Sequence, residues 1–194
     1  MEFKITVIGT SLGGLNALMV ILASLPKNLP MAIAIAQHRH KNSDHKLVDF
    51  LQQQSLLPII EVEDKQAILP GQVYLAPADY HLLVEVDHFS LSTEAPVTYA
   101  RPSIDVLFES AADAYNEQAI AAILTGASAD GANGIAKIHA QGGLTIVQEP
   151  ETAERRTMPD AAIAAVKEAK ILPLSRIAPF LVKLCSASDR LNPL

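Results

Sequence analysis

Short, wholly apolar runs alternate with helix-patterned segments along almost the whole chain, and this alternation restricts the fold more than any other feature of the sequence. Residues 3–8 read FKITVI, a β-branched run stopped by Gly9, and residues 15–25 follow with helical spacing until Pro26 ends them. Residues 31–36 form an all-apolar strand that enters Gln37-His38, and a polar stretch leads from there into a helix predicted over 45–54. Later in the chain the strands 119–124, 144–148 and 171–174 alternate with helices predicted over 133–139, 160–169 and 177–185. Such alternation calls for parallel strands joined by crossover helices, so the predicted fold is α/β, a doubly wound and mostly parallel sheet flanked by helices.

The pattern changes between about residues 58 and 92. Runs at 57–62, 72–77, 81–86 and 89–92 are punctuated by Pro70-Gly71 and Val86-Asp87-His88, and this turn-rich spacing predicts an antiparallel hairpin portion. Pro102-Ser103-Ile104-Asp105 reads as a helix start, with Ser103 as cap and Asp105 in the first turn of the helix through Tyr115.

A chain of 194 residues is expected to form a single domain, 1–194, without repeats or a linker. Aromatic residues are only 5% and Trp is absent, which suits closely packed helices on a buried parallel sheet. The net charge of −6 and the lack of any basic block beyond Arg155-Arg156 argue against nucleic acid as a partner. The longest apolar run, Ala17 to Ala23, is far short of the ~20 residues that span a bilayer, and no basic leader precedes it, so no membrane insertion and a cytoplasmic location are expected. The lone Cys185 falls within an apolar pattern and reads as core packing.

The turn Gly9-Thr10-Ser11-Leu12-Gly13-Gly14 admits two functional readings. It approximates the G-x-G-x-x-G of a dinucleotide site, but Ser11 occupies the place of the middle glycine and the second strand ends in Gln37-His38 where an acidic ribose ligand belongs. It also fits G-x-S-x-G, a nucleophile elbow that thrusts a serine oxygen out at a helix N-terminus. A third, plainer reading makes Ser11 a helix cap or turn former. A serine needs a base near neutral pH, which is histidine's usual role, and His38 stands at the end of the second strand. Asp130 follows another strand and could orient that imidazole, or could merely cap the helix after Gly131-Ala132. Three strand ends would then supply Ser, His and Asp at the edge where open α/β sheets gather their ligands.

These residues resemble the catalytic domain of the chemotaxis protein-glutamate methylesterases, the CheB type. Ile8-Gly9-Thr10-Ser11-Leu12-Gly13-Gly14 is similar to that family's I-G-x-S-x-G-G, and Ala36-Gln37-His38 to its V-Q-H. Gly71 to Pro77 and Asp79 to Leu82 resemble its G-x-V-Y-x-A-P and D-x-H-L, and Arg101 to Phe108 its R-P-S-x-D-x-L-F. Leu124-Thr125-Gly126 with Asp130-Gly131-Ala132 resembles L-T-G-x-x-x-D-G-A, and Met158-Pro159 a late M-P, so the likeness runs over about residues 4–183.

The resemblance implies a serine esterase with Ser11, His38 and Asp130 as its triad, needing neither metal nor organic cofactor. It implies hydrolysis of glutamyl 5-methyl esters on the cytoplasmic helices of chemoreceptors, with glutamine deamidation as a side activity. Thr10, Leu12, Gly126, Ala127, Arg101 and Met158 become oxyanion or pocket residues on the same basis. The chain departs from the family at Ala127, where a Met is usual, and in entering the first catalytic strand within three residues of Met1. The expectation is therefore a catalytic domain without a receiver domain, either constitutively active, controlled by a separate regulatory protein, or a fragment. The rival expectations are a non-catalytic binding module of the same fold, an esterase for another protein ester and, third, a nucleotide-binding protein. His40, Asp44 and His45 near His38 match no strong zinc spacing and read as solvent-facing or helix-start residues. Ser128 lacks turn glycines and reads as a loop residue.

Overall fold

The structure, a computed structural model, describes residues 3–41 and 46–189, with side chains through residue 186. Seven parallel strands form the main sheet: β1 (Ile5–Thr10), β2 (Ala32–Gln37), β3 (Ile59–Glu61), β4 (Val73–Leu75), β7 (Ala119–Ile123), β8 (Leu144–Gln148) and β9 (Lys170–Leu172). Their spatial order is β3-β4-β2-β1-β7-β8-β9. A separate antiparallel pair consists of β5 (His81–Val84) and β6 (Phe89–Ser92).

Both faces of the sheet are covered, as its uninterrupted apolar strands require. On one side, α1 (Gly14–Ala23), α2 (Lys46–Gln52) and α6 (Leu174–Asp189) cover Ile8, Ile33, Ile35 and Ile120, and the half-buried Cys185 packs there too. On the other side, α3 (Ile104–Tyr115), α4 (Ala132–Ala140), α5 (Thr157–Ala165) and the β5-β6 pair cover Ile5, Val7, Ala34 and Ala121. Many of the strand residues on the α3 side are small, Ala32, Ala34 and Ala36 on β2 and Ala119 and Ala121 on β7, beside the larger Ile5, Val7 and Ile123. Helix α3 comes close to the sheet at Gly9, where an added Cβ would lie 2.2 Å from Ile104 Cγ2. Gly9→Ala should therefore push the first turn of α3 away and lower stability by roughly 1–3 kcal/mol. An unchanged urea midpoint would contradict this.

The antiparallel portion is smaller than the sequence pattern predicts. Among the described residues the antiparallel strand pair covers 81–92, with isolated antiparallel bridges from Ala67 to His88 and from Val97 to Ala100, whereas β3 and β4 pair parallel to each other, with Ile59 opposite Val73, and β4 joins the parallel sheet beside β2. The reason is tertiary. After β3 the chain crosses back beside β6, held by Lys65 N–H to the Phe89 carbonyl at 3.0 Å and Phe89 N–H to the Gln66 carbonyl at 2.8 Å. It therefore re-enters the sheet from the end where β3 began.

Two late boundaries also move. The helix expected over 160–169 is α5 at Thr157–Ala165, with Pro159 in the first turn, where its missing N–H costs nothing. The final helix begins at Leu174, before the expected 177, directly after the three-residue β9.

From β1 the chain runs to β2 on one side and returns later to β7 on the other, so the carboxyl ends of β2, β1 and β7 lie side by side at the switch point of the sheet. His38, Ser11 and the 124–130 loop leave from those three ends.

Candidate active site

The backbone of Ser11 continues the line of β1 between its two neighbours. Its N–H donates to the Thr125 carbonyl at 3.0 Å, and the N–H of His38 donates to the Thr10 carbonyl at 3.0 Å, which extends the register Thr10–Gln37 by one step. The chain then turns sharply, with Gly14 N–H donating to the Ser11 carbonyl at 2.9 Å and Gly13 in the left-handed region at φ +80°. At Gly13 a side chain would be strained, and it would also meet Glu154 at 2.7 Å. Helix α1 starts at once, so its N-terminus faces the serine.

Gln37 was not singled out in the sequence, yet it clamps this turn. Its buried Nε2 donates to the carbonyls of both Ser11 and His38, each at 3.0 Å. The Ser11 hydroxyl itself makes no hydrogen bond among the described residues. Ser11 and His38 share the wall of a concavity of about 430 Å³, with Leu12, Gly13 and Glu154 around it.

His38 and Asp130 meet directly, Nε2 to Oδ2 at 2.7 Å. Asp130 is fully buried, and its two oxygens take three further donors: Ile104 N–H at 2.7 Å, Ser103 Oγ–H at 2.9 Å and Asp105 N–H at 3.1 Å. These are groups of the first turn of α3 and its cap. Asp130 therefore caps α3; the N-cap of the helix that follows it, α4, is Gly131. Asp105 returns the arrangement, since its carboxylate leaves its own helix and accepts from Gly134 N–H at 2.8 Å in the first turn of α4. The two aspartates thus cap each other's helices and lock α3 to α4 behind the imidazole. Spacing alone marked both as helix-start residues but could not tell which helix each would serve.

Their electrostatics differ. Burial would raise the Asp130 carboxyl, but hydrogen bonds from His38 and the amides of Ile104 and Asp105, aided by the imidazole's charge, outweigh it and hold the group below the usual carboxylate value. Asp105 is held above it, mainly by burial and further by the charge of Asp130, against the Gly134 amide. A carboxyl held low in the fold stabilises it above the unfolded value of about 4, and that contribution disappears as pH falls through the lower folded value. The raised Asp105 has the opposite sign: its penalty at neutral pH is relieved as pH falls through its folded value. The urea midpoint should therefore decline below about pH 4 as Asp130 protonates, and Asp130→Asn should flatten that acid limb. An equally steep limb in the variant would refute this assignment.

The expected oxyanion and pocket residues divide. The Leu12 and Gly13 amides donate to no acceptor among the described residues and sit at the positive end of α1 beside Ser11. The Ala127 amide is also without an acceptor there, and Ala127 is exposed. Gly126 differs from the expectation: its N–H donates to the Arg155 carbonyl at 3.0 Å and its carbonyl accepts from Met158 N–H at 3.0 Å, so its amide is not available to a ligand. Thr10 is buried, its hydroxyl donating to the Thr125 carbonyl at 2.8 Å. Met158 is buried as well, and its side chain fills the space where a Cβ on Gly126 would stand. Arg101 ties two loops together through Asp79 Oδ1, at 2.6 and 3.1 Å, and the carbonyls of Thr93 and Glu94. Ser128 accepts from Asp130 N–H at 3.4 Å, a loop contact. His40 is exposed, while Asp44 and His45 lie outside the described residues.

Comparison with known proteins bears on the family and the fold. Residues 6–181 match the family model described as CheB methylesterase. A Leptospira interrogans protein named putative protein-glutamate methylesterase/protein-glutamine glutaminase is 44% identical over 185 residues, 95% of this chain and 96% of that protein. A Thermotoga maritima protein-glutamate methylesterase/protein-glutamine glutaminase is 35% identical over 93% of this chain but only 54% of its own length, so the chain spans about half of that relative. The crystal structure of the Thermotoga maritima CheB methylesterase catalytic domain superposes with a TM-score of 0.90 at 34% identity, covering 95% of this chain and all of that one. No described helix is long and apolar enough to cross a membrane.

Proposed function

The chain belongs to the CheB methylesterase family, and from that membership we propose that it acts as a single catalytic domain hydrolysing glutamyl 5-methyl esters on chemoreceptor helices to glutamate and methanol. Glutamine deamidation is a second activity of the same site. The observation that carries the reading is the 2.7 Å contact of His38 Nε2 with a buried, anionic Asp130, made in a histidine that shares a concavity with Ser11.

With Nε2–H donated to Asp130, Nδ1 is the ring nitrogen left to act as base, the reverse of the usual arrangement in which the aspartate holds Nδ1. Ser11 Oγ attacks the ester carbonyl carbon as His38 Nδ1 takes its proton. The oxyanion that forms is received by the Leu12 and Gly13 amides at the N-terminus of α1. Collapse breaks the C–OCH₃ bond, and the imidazolium returns the proton to the departing methoxide. Water, deprotonated by the same nitrogen, then cleaves the acyl-enzyme and frees the glutamate and Ser11. Asp130 stays ionised throughout, fixing the tautomer and balancing the transient positive charge.

The test is release of methanol from membranes bearing receptors labelled in their methyl esters, at neutral pH. Labelled methanol from the wild-type chain and none from Ser11→Ala supports the reading. Folded wild-type protein that releases none would overturn it.

A further inference from the structure

Arg39 follows the proposed catalytic histidine directly, and nothing in the mechanism uses it. Its side chain is only 7% exposed. One terminal nitrogen, Nη2, donates to Glu61 and, at 2.9 Å, to the Ala76 carbonyl, but Nε and Nη1 are buried with no acceptor among the described residues. A guanidinium cannot shed its proton, and buried donors left without acceptors are costly, so this side chain, though paired with Glu61, has two donor groups to spare. It forms part of the wall of a second cleft, of about 350 Å³, on which His38, Lys41, Tyr99 and Arg101 also border. Arg101 is engaged by Asp79 and two carbonyls, whereas Lys41 is exposed. In a chain of net charge −6 this cleft is bordered by Arg39, Lys41 and Arg101, with Asp79 as the acidic residue among its described lining. His38 belongs to both concavities, so a ligand whose ester lies at Ser11 has its neighbouring groups at the mouth of the cationic one.

We propose that Arg39 is a specificity-determining residue that receives a second carboxylate of the substrate, from an acidic side chain flanking the reacting glutamyl ester. The proposal rests on the esterase reading above and adds the substrate class, an acidic peptide. On a helical substrate the flanking residue is three or four positions away, where side chains lie about 5–6 Å apart at Cβ. To meet the acid, the guanidinium must swing from its buried place beside Glu61 toward the cleft, bringing Nε and Nη1 to a charged acceptor.

Two helical peptides carrying one glutamyl methyl ester test it, one with Glu and one with Gln at the flanking positions. Wild-type protein should favour the Glu peptide about tenfold in kcat/KM, the size expected of one charge-assisted hydrogen bond, with the difference residing in KM. Arg39→Met should bring the ratio near unity, and Arg39→Lys should restore part of it. Because Arg39→Met strands Glu61, the double variant Arg39→Met/Glu61→Gln is measured beside it and should show the same lost preference. The same preference should appear in calorimetric binding of the two peptides with glutamine in place of the ester, which needs no turnover. Equal binding of both peptides by wild type, or a preference that survives in Arg39→Met, overturns the subsite and leaves the esterase reading standing. Preferential binding without ester hydrolysis would do the reverse.

Discussion

Ser11→Ala is expected to lower kcat for methyl ester hydrolysis by about 10⁶-fold while shifting stability by less than about 1 kcal/mol. The two effects separate because the hydroxyl makes no hydrogen bond among the described residues, so its removal orphans no buried partner. The turn is held by other groups: the Ser11 N–H on Thr125, and the Ser11 carbonyl with donors from Gly14 and Gln37. The Leu12 and Gly13 amides remain in the variant, so a residual rate above the uncatalysed one should persist. Methanol release measures the first effect and the urea midpoint the second. A variant retaining a tenth of wild-type turnover would remove Ser11 from the nucleophile's role.

Asp130→Asn should damage catalysis and fold together. Without a carboxylate on Nε2–H, the imidazole is no longer held in the tautomer that leaves Nδ1 basic, and kcat should fall about 10⁴-fold. The buried cradle also suffers. Four donors converge on the two oxygens of Asp130, and an amide offers one oxygen plus an NH₂ that must face donors. Ser103 or the amides of Ile104 and Asp105 then lose acceptors, at a cost of about 2–4 kcal/mol. Stability equal to that of Ser11→Ala would show that the α3 cap is dispensable. Undiminished kcat in folded variant would show that Asp130 does not orient the base.

The candidate triad was legible because each residue carries chemistry and directly follows an apolar strand. In a doubly wound sheet, neighbouring strand ends converge, so Ser11 after β1, His38 after β2 and Asp130 beyond β7 could be grouped without coordinates. Gln37 was not legible as a clamp, because a polar residue ending a buried strand carries no periodic signal and its partners are backbone carbonyls 26 and 1 residues away. The Gly126 amide looked available from its motif and is occupied, since its acceptor comes from the distant Arg155 loop. The three-residue strands β3 and β4 are too short for a period to reveal their direction, which is set by how the intervening chain docks on β6.

The alternation of strand and helix, the glycine-relieved serine turn and the apolar faces of the sheet can be read from the amino-acid order, because they depend on residues within a few positions of one another. Tertiary structure alone decided which imidazole nitrogen meets Asp130, which helix each aspartate caps, which amides stay open to an oxyanion, and that Arg39 is buried with donors to spare. Each of those depends on a hydrogen bond between segments far apart in the chain, and a donor's partner is set by where the folded backbone brings it.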